Sequence, residues 1–480
     1  MSAIQALAET KIKFSGFYKV FHENDVNFTR SDTTRKRDSD SFFWHRLQLV
    51  LDFAPTEDVT VRWVLRGPNT VRWGQVPYGD ARGGNTLALD VFTRAIYATI
   101  TTDYGKFVIG RHNGTMVGNV AGLETLGYAP KYGDFLNNHI FDWNLPFDGI
   151  TYQKKWDNGF GLNLLYVKEN SHQDAAEKDA DKDRFGIEPF YLWDGGGASV
   201  ELSYAQDKST NSAYKPEDTK DTYPVDKNWI FTVNPALFFT AGDFSFHLEG
   251  KAAWSETVYK RRGAGGGNPP LPETKVKDAG LGLYADVVYK YGPGSLTLGG
   301  WYFDGSDLDE GGGPAKGRKK GHDLVGPGSF SPFLVAYGSC IGLGAGKFVN
   351  VLGDQDRRSS PKKYTVGNHW ALALLGDHFL TKDIKFRYGL GFFRLVNPQG
   401  RHLVGRTAQN QPVYADDSKD LGYEFDVGVI AKILDNLTFE SHFGYFINGD
   451  AFKKYDENVP SSGQKAKDTF AWANALVFTF

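Results

Sequence analysis

Cysteine occurs once in 480 residues, at Cys340, and methionine only twice. A single thiol excludes an internal disulfide framework and any CxxC zinc or redox site. Long apolar runs are missing too. No stretch of 18 uncharged apolar residues occurs, which argues against a transmembrane helix, and the nearest run, Phe333 to Gly346, is too short and carries four glycines. Nor is there an excess of one charge. Lys plus Arg is 54 and Asp plus Glu 57, for a formal charge of −3, whereas a nucleic-acid binder would show a basic surplus. The N-terminus lacks a basic segment and a long apolar core, so no whole signal peptide is expected. Ala6-Leu7-Ala8 before Glu9 does resemble a signal-peptidase site.

What the chain does contain is aromatic residues at 15% and 56 glycines, within a hydrophobic share of only 41% and a mean hydropathy of −0.41. Aromatic and β-branched residues recur along the whole length, which excludes disorder. Such a composition suits many strands and turns. The pattern is period-two: Leu47, Leu49, Leu51 and Phe53 alternate with Arg46, Gln48, Val50 and Asp52. Beyond Ala54 to Asp58, the apolar Val59, Val61, Trp63 and Leu65 alternate with Thr60, Arg62, Val64 and Arg66. This is a hairpin with one apolar face and one charged face.

The unit recurs, joined by short turns near 54–58, 103–105, 157–159, 195–197, 241–243, 291–294, 380–383 and 434–436. Between the hairpins lie long, polar connections at about 24–41, 67–86, 112–147, 169–183, 206–228, 260–277, 304–363, 397–420 and 449–467. Eight short turns alternating with nine long connections give eighteen strands with both termini on the short-turn side. A hairpin hidden around 333–349 would change the count by two, and sixteen strands is the alternative. A soluble sandwich has no reason to gather every long loop at one end. An outer-membrane barrel has short periplasmic turns and long outer loops, and it must close, since an open sheet edge would leave backbone groups unpaired in lipid. The expectation is all-β: one antiparallel transmembrane barrel over 1–480, without a domain boundary.

The final strand carries the sharpest signal. Phe470, Trp472, Leu476, Phe478 and Phe480 share one face, interrupted by Asn474, while Ala471, Ala473, Ala475, Val477 and Thr479 share the other. Bulk on one side and small residues on the other suits a wall facing lipid. A C-terminal strand ending in phenylalanine resembles the assembly signal of Gram-negative outer-membrane β-barrels. A second resemblance spans Phe92 to Ala98 and Tyr104 to Arg111, which are similar to a paired strand of bacterial general porins, and Asp148 to Tyr152 looks like their re-entry strand. The resemblance implies a pore-facing Arg94, an inward-folded third loop at 112–147, and a homotrimer set in outer-membrane lipid and lipopolysaccharide; the turn alternation makes 304–363 a long extracellular loop. The chain departs from common general porins in its length and in reading as eighteen strands rather than sixteen.

If the apolar face meets lipid, the alternate face lines a lumen. On the second to fourth strands it presents Arg46, Arg62, Arg66 and Arg94 with Gln48 and Asp52. A dry core could not hold four neighbouring arginines without paired anions, whereas a wet lumen keeps them hydrated. The third loop offers Glu124, Asp134, Asp142 and Asp148 as the opposing acids. Basic wall and acidic loop together would set a transverse field across a narrow water column, ordering dipolar solutes. The competing reading makes these arginines ion pairs that only pack the barrel.

Enzymatic and metal motifs fail one by one. Asp179 to Asp183 opens like a calcium loop, but Arg184 stands at the glycine position and Phe190 at the bidentate glutamate position. Gly342 to Lys347 lacks the phosphate-loop spacing, and neither GxSxG nor HExxH occurs. Ser441 alternates to the opposite face from Glu440 and His442, so it cannot be their nucleophile. No enzyme activity and no cofactor are expected. The function that follows is a porin, a water-filled channel for passive diffusion of small hydrophilic solutes and ions, with no nucleic-acid partner. The alternative is a substrate-specific eighteen-stranded channel for organic acids, on the strength of the arginines, or for sugars, with Trp301, Phe303, Phe393 and Phe446 as an aromatic path.

Overall fold

Alternating sequences become strands because a pleated chain sends successive side chains to opposite faces. In the computed structural model the described residues are 11–26, 39–72, 92–113, 146–170, 182–207, 213–214, 223–259, 274–304, 318–320, 333, 369–396, 403–406, 412–414, 419–450, 453–456, 459–465 and 468–480. They form eighteen antiparallel wall strands in chain order. These are β1 (Lys11–Val26), β2 (Ser39–Ala54), β3 (Val59–Arg72), β4 (Phe92–Thr102), β5 (Gly105–Asn113) and β6 (Pro146–Lys155). Next come β7 (Phe160–Asn170), β8 (Lys182–Trp193), β9 (Gly196–Asp207), β10 (Tyr223–Ala241), β11 (Phe244–Tyr259) and β12 (Thr274–Tyr291). The ring is completed by β13 (Gly294–Phe303), β14 (His369–Phe379), β15 (Ile384–Leu395), β16 (Asp420–Leu434), β17 (Leu437–Asn448) and β18 (Thr469–Thr479). All eight short turns and nine long connections fall where the alternation places them, and the count is eighteen rather than sixteen.

The wall has no edge. β1 pairs with β2 on one side and with β18 on the other, so every strand has two neighbours. The terminal phenylalanine completes the seam: Gly16 N–H donates to the Phe480 carbonyl (2.8 Å) and Phe480 N–H to that of Gly16 (3.1 Å). A Cβ at Gly16 would stand 2.3 Å from the Gln48 carbonyl oxygen, so glycine lets the three chains meet there. The Phe480 ring stacks on Phe14 at 5.8 Å. Above the short β13, the long β12 would lack a neighbour; residues 318–320 pair with it in parallel at 277–279.

The two faces invert the soluble pattern. Leu298, Leu372, Leu390, Trp472 and Phe478 point outward and are exposed, while Glu201, Glu249, Asp286, Arg387 and Glu424 point inward and are buried. Only a hydrocarbon surround makes that arrangement favourable, because each exposed apolar side chain is then in its preferred medium. On β18 the outward stripe of Trp472, Leu476, Phe478 and Phe480 stands opposite buried Ala471, Ala473 and Ala475. Near the short turns the outer face carries aromatics in contact: Phe160, Tyr191 and Trp193, tilted on one another, then Phe239, Phe246, Phe244, Tyr289 and Tyr291, stacked in series. These are the amphipathic rings of a membrane–water interface. Trp193 belongs to this girdle, Trp156 is exposed at the same rim, and Tyr445 sits at the opposite rim, its hydroxyl donating to Asp468 (3.1 Å). The side chain of Trp44 lies outside the described residues. The molecule is a closed transmembrane barrel of the bacterial outer-membrane type.

Leu374, half-way along β14 on the outer face, tests this orientation. Leu374→Arg should cost about 2–4 kcal/mol of barrel stability, the penalty for a cation near the bilayer midplane, read by reversible denaturation in lipid vesicles. A loss below about 1 kcal/mol would place that position at the interface instead.

Candidate functional site

The lumen wall is built from the residues that alternate with the lipid-facing ones. On β1 to β3 the cross-strand register brings them into rows: Lys13 opposes Asp52, which opposes Arg62, and Gln48 opposes Arg66. Arg62 holds Asp52 with two bonds, Nε to Oδ1 at 2.6 Å and Nη2 to Oδ2 at 2.9 Å. That pair is the packing ion pair of the competing reading, so Arg62 keeps little net charge for the lumen. Arg66 instead donates from Nε (3.2 Å) and Nη2 (2.8 Å) to the neutral Gln48 Oε1. A neutral acceptor satisfies the guanidinium and leaves its charge in the field. Arg46, Arg66 and Arg94 are within electrostatic reach of one another, and Lys19 opposes Arg46 from β1.

Arg94 reaches this group through an irregularity. Ile96, two residues on, points outward and is 46% exposed, so strict alternation would send Arg94 into lipid. The register slips there: Val64 opposes Ala95 while Leu65 opposes Thr93, leaving Arg94 as the extra residue of a bulge. A bulge re-aims a side chain, and here it turns a cation inward. The Trp63 indole donates to Thr93 Oγ1 (3.1 Å) on the outer side, locking the slip in place.

The opposing acids come from the wall. Glu188 on β8, Glu201 on β9, Glu249 on β11 and Asp286 on β12 each stand five positions from the short-turn end of their strand, and all four are buried. In a ring of eighteen, β1 to β4 face β10 to β13, so the acidic belt lies broadly opposite the arginines. His247 bridges two of its members, Nε2 to Glu249 Oε1 at 2.7 Å and Nδ1 to Asp286 Oδ2 at 3.3 Å. The Tyr284 hydroxyl donates to the same Asp286 oxygen (2.6 Å), and Asn163 donates to Glu188 (2.9 Å). Further round, Arg387 clamps Asp377 through Nε (2.7 Å) and Nη2 (3.0 Å).

Of the acids expected on the third loop, Glu124, Asp134 and Asp142 lie outside the described residues, as does most of 112–147. Asp148 is a correction. It sits in β6 on the face of the 44%-exposed Ile150, two positions from it, and pairs on the outer surface with Arg111 at 3.6 Å. Alternation from Ile150 decides this, not proximity to the loop. Glu201 and Asp286 belong to wall strands rather than to the third loop, and their common distance from the short turns is the signal for them in the sequence. Ser441 faces outward, accepting from the Trp472 indole (3.1 Å), while His442 and Glu440 pair inside at 3.4 Å. Among the described residues, no group of three His, Cys, Asp or Glu is placed to hold a metal ion.

Exposure divides the lumen. Among the described residues, Arg62, Arg66, Arg94, Gln153 and Asn163 on β3 to β7 remain partly open to the lumen while Arg46 and His112 are buried, and the inward side chains on β8 to β18 are largely buried. The wettest wall is the one that carries the arginines.

No protein-family model matches the chain, and no curated protein matches it. Among solved structures it is similar to OpdQ of Pseudomonas aeruginosa, with 12% identity, a TM-score of 0.48 and 98% of each chain covered. OpdK of the same organism, solved with vanillate, shows 10% identity and a TM-score of 0.46, again over 98% of each chain. OmpT of Vibrio cholerae, in a trimer form, shows 8% identity and a TM-score of 0.37 over 98% of this chain and 99% of that one. Likeness of this size carries no argument about residues or solutes.

The charge layout is testable by ion selectivity. Replacing Arg46, Arg66 and Arg94 together by alanine should move the reversal potential several millivolts toward cations, out of about 59 mV for perfect selectivity in a tenfold gradient. Glu188→Gln with Glu201→Gln should give a smaller shift toward anions, because that side is covered. Unchanged potentials in folded protein would remove both groups from the ion path.

Proposed function

We propose that this barrel is a porin, forming a water-filled channel for passive diffusion of small hydrophilic solutes and ions across a bacterial outer membrane. The observation that carries the reading is the half-open lumen whose wet wall is cationic. Charged side chains facing inward need water or partners, and Arg62, Arg66 and Arg94 have a partly exposed setting in which water reaches them, while Arg46 is buried beside them. The same wall supplies the selectivity: three mutually close arginines attract anions, and the buried carboxylates across the lumen extend the field through the water column. Transport needs no bond making. A polar solute exchanges some hydration for the guanidinium and carboxylate groups of the wall, while an apolar solute gains nothing for the water it displaces.

The segment 112–147, with Glu124, Asp134 and Asp142, is assigned as an inward-folded constriction, and outer-membrane lipid and lipopolysaccharide as the surround. A homotrimer is the proposed assembly. It is supported by a polar cluster on the outer face, where His22 bonds Ser41 (3.2 Å) and Asn474 (3.2 Å). Polar side chains in hydrocarbon are favoured at helix or strand contacts between chains over open lipid.

A second reading, a substrate-specific channel for organic acids, is favoured by the arginines lining the wet side. Its sugar variant loses support, because Trp301, Phe303, Phe393 and Phe446 are all buried and present no slide to a solute.

Single-channel recording of the purified protein in a planar bilayer separates these. Ohmic steps in multiples of three, with anions favoured, are expected for the trimeric porin. Saturable block by a small carboxylate, relieved by the triple arginine replacement, would instead establish the specific channel. Folded, inserted protein that never conducts would end the porin reading.

A further inference from the structure

Rising along β4 from its short turn, side chains alternate as far as the outward Ile96 and the buried, inward Ala95. Strict pairing beyond that point would set Arg94 outward opposite Leu65, and Thr93 inward opposite Arg66. The observed register exchanges the two. Leu65 opposes Thr93 and Arg66 opposes Phe92, with Arg94 as the extra residue of the bulge. Residues directly opposed in a ladder share a face, so Thr93 lies outside with Leu65 and Phe92 inside with Arg66. Gln48, Arg66 and Phe92 form one inward row across β2, β3 and β4, and the Phe92 ring is 38% exposed there.

Three effects oppose this arrangement. A bulge interrupts the ladder, it withdraws a phenyl ring from lipid, and it brings Arg94 within electrostatic reach of Arg46 and Arg66. Two effects favour it. Arg94 stands eight positions from the short-turn end of β4, inside the roughly 9–11 residues a strand takes to cross the bilayer, and a cation on that outer face is rejected by hydrocarbon. The slip also turns the Thr93 hydroxyl outward, where Oγ1 accepts from the Trp63 indole at 3.1 Å, so a donor on the lipid side keeps an acceptor. A phenyl ring tolerates a half-open lumen, whereas an arginine has only one tolerable face.

We propose that Arg94 is the register-determining residue of this wall: its exclusion from lipid forces the slip between β3 and β4, and the slip makes Phe92 rather than Thr93 line the lumen beside Arg66. Arg94 then acts on the channel twice. It supplies a cation, and it sets an aromatic ring into the arginine wall where a hydroxyl would otherwise stand. Its removal is therefore more than a charge deletion. Lipid accepts the side chain of Arg94→Leu, so the ladder becomes regular, Thr93 turns inward and Phe92 moves to the lipid face. Arg94→Lys keeps a cation that lipid rejects, and with it the slip.

Thiol accessibility reads the two faces directly. Cys340→Ser removes the single native cysteine, and Phe92→Cys or Thr93→Cys then supplies one reporter. In protein folded into lipid vesicles, judged by heat-modifiable gel mobility, a charged, membrane-impermeant thiosulfonate should modify the reporter at 92 severalfold faster than the one at 93. Adding Arg94→Leu should invert that order, and adding Arg94→Lys should preserve it. A loss of stability alone slows or speeds both reporters without inverting them. Equal rates, or a faster reporter at 93, in the presence of Arg94 overturn the bulge. An unchanged order with Arg94→Leu overturns Arg94 as its cause, and inversion with Arg94→Lys overturns charge as the reason. The inference rests on the porin reading only for water in the lumen, not for conduction. The expected pattern in a barrel that never conducts would sustain it and remove the porin reading instead.

Discussion

Everything in this molecule depends on satisfying backbone hydrogen bonds where no water is available. A strand in hydrocarbon must be paired on both sides, and a sheet meets that condition only by closing. Closure is made by β1 against β18, with the backbone of Phe480 bonded to Gly16. The rest follows in order. A closed wall has an inside and an outside, period-two chains put alternate residues on each, and the solvent on each side then selects which residues are tolerated there.

The inside is consequently where the chain places groups that lipid would reject, and their arrangement is not uniform. Cations gather on β1 to β4, carboxylates interspersed with Arg184, His247 and Lys251 on β8 to β12, and an aromatic cluster on β13 to β17. Arg66 and Arg62 illustrate how neighbours at the same wall differ in effect. One is satisfied by neutral Gln48 and projects its charge, whereas the other is spent on Asp52. The distinction rests on a cross-strand partner, which is a matter of register. Arg62, Arg66 and Arg94 border the more open side, and the aromatic cluster with Phe333 occupies the covered one.

Much of the architecture was legible in the sequence because the two constraints involved are local. Period-two alternation and turn length can both be read within ten residues, so the eighteen strands, the short-turn side of both termini and the lipid face of β18 were all accessible. Arg46, Arg62 and Arg66 followed from the same alternation. Asp148 did not, because it was assigned by its nearness to a loop when the parity of Ile150 puts it outside. For Arg94 strict alternation with the exposed Ile96 points the other way, and only the register slip between β3 and β4 turns it inward.

By itself, then, the sequence determined the class of the protein: its alternation, its turn lengths and its final aromatic stripe admit only a closed wall in lipid. What the tertiary structure decided are contacts between positions far apart in the chain. The bulge that turns Arg94 inward depends on how β3 meets β4. The acidic belt is a belt only because four strands share one height. The contact of Phe333 with Phe393, beside Gly391, joins residues more than fifty positions apart, and no local pattern encodes it. Periodicity reports which face a residue takes; only closure and register report what it faces.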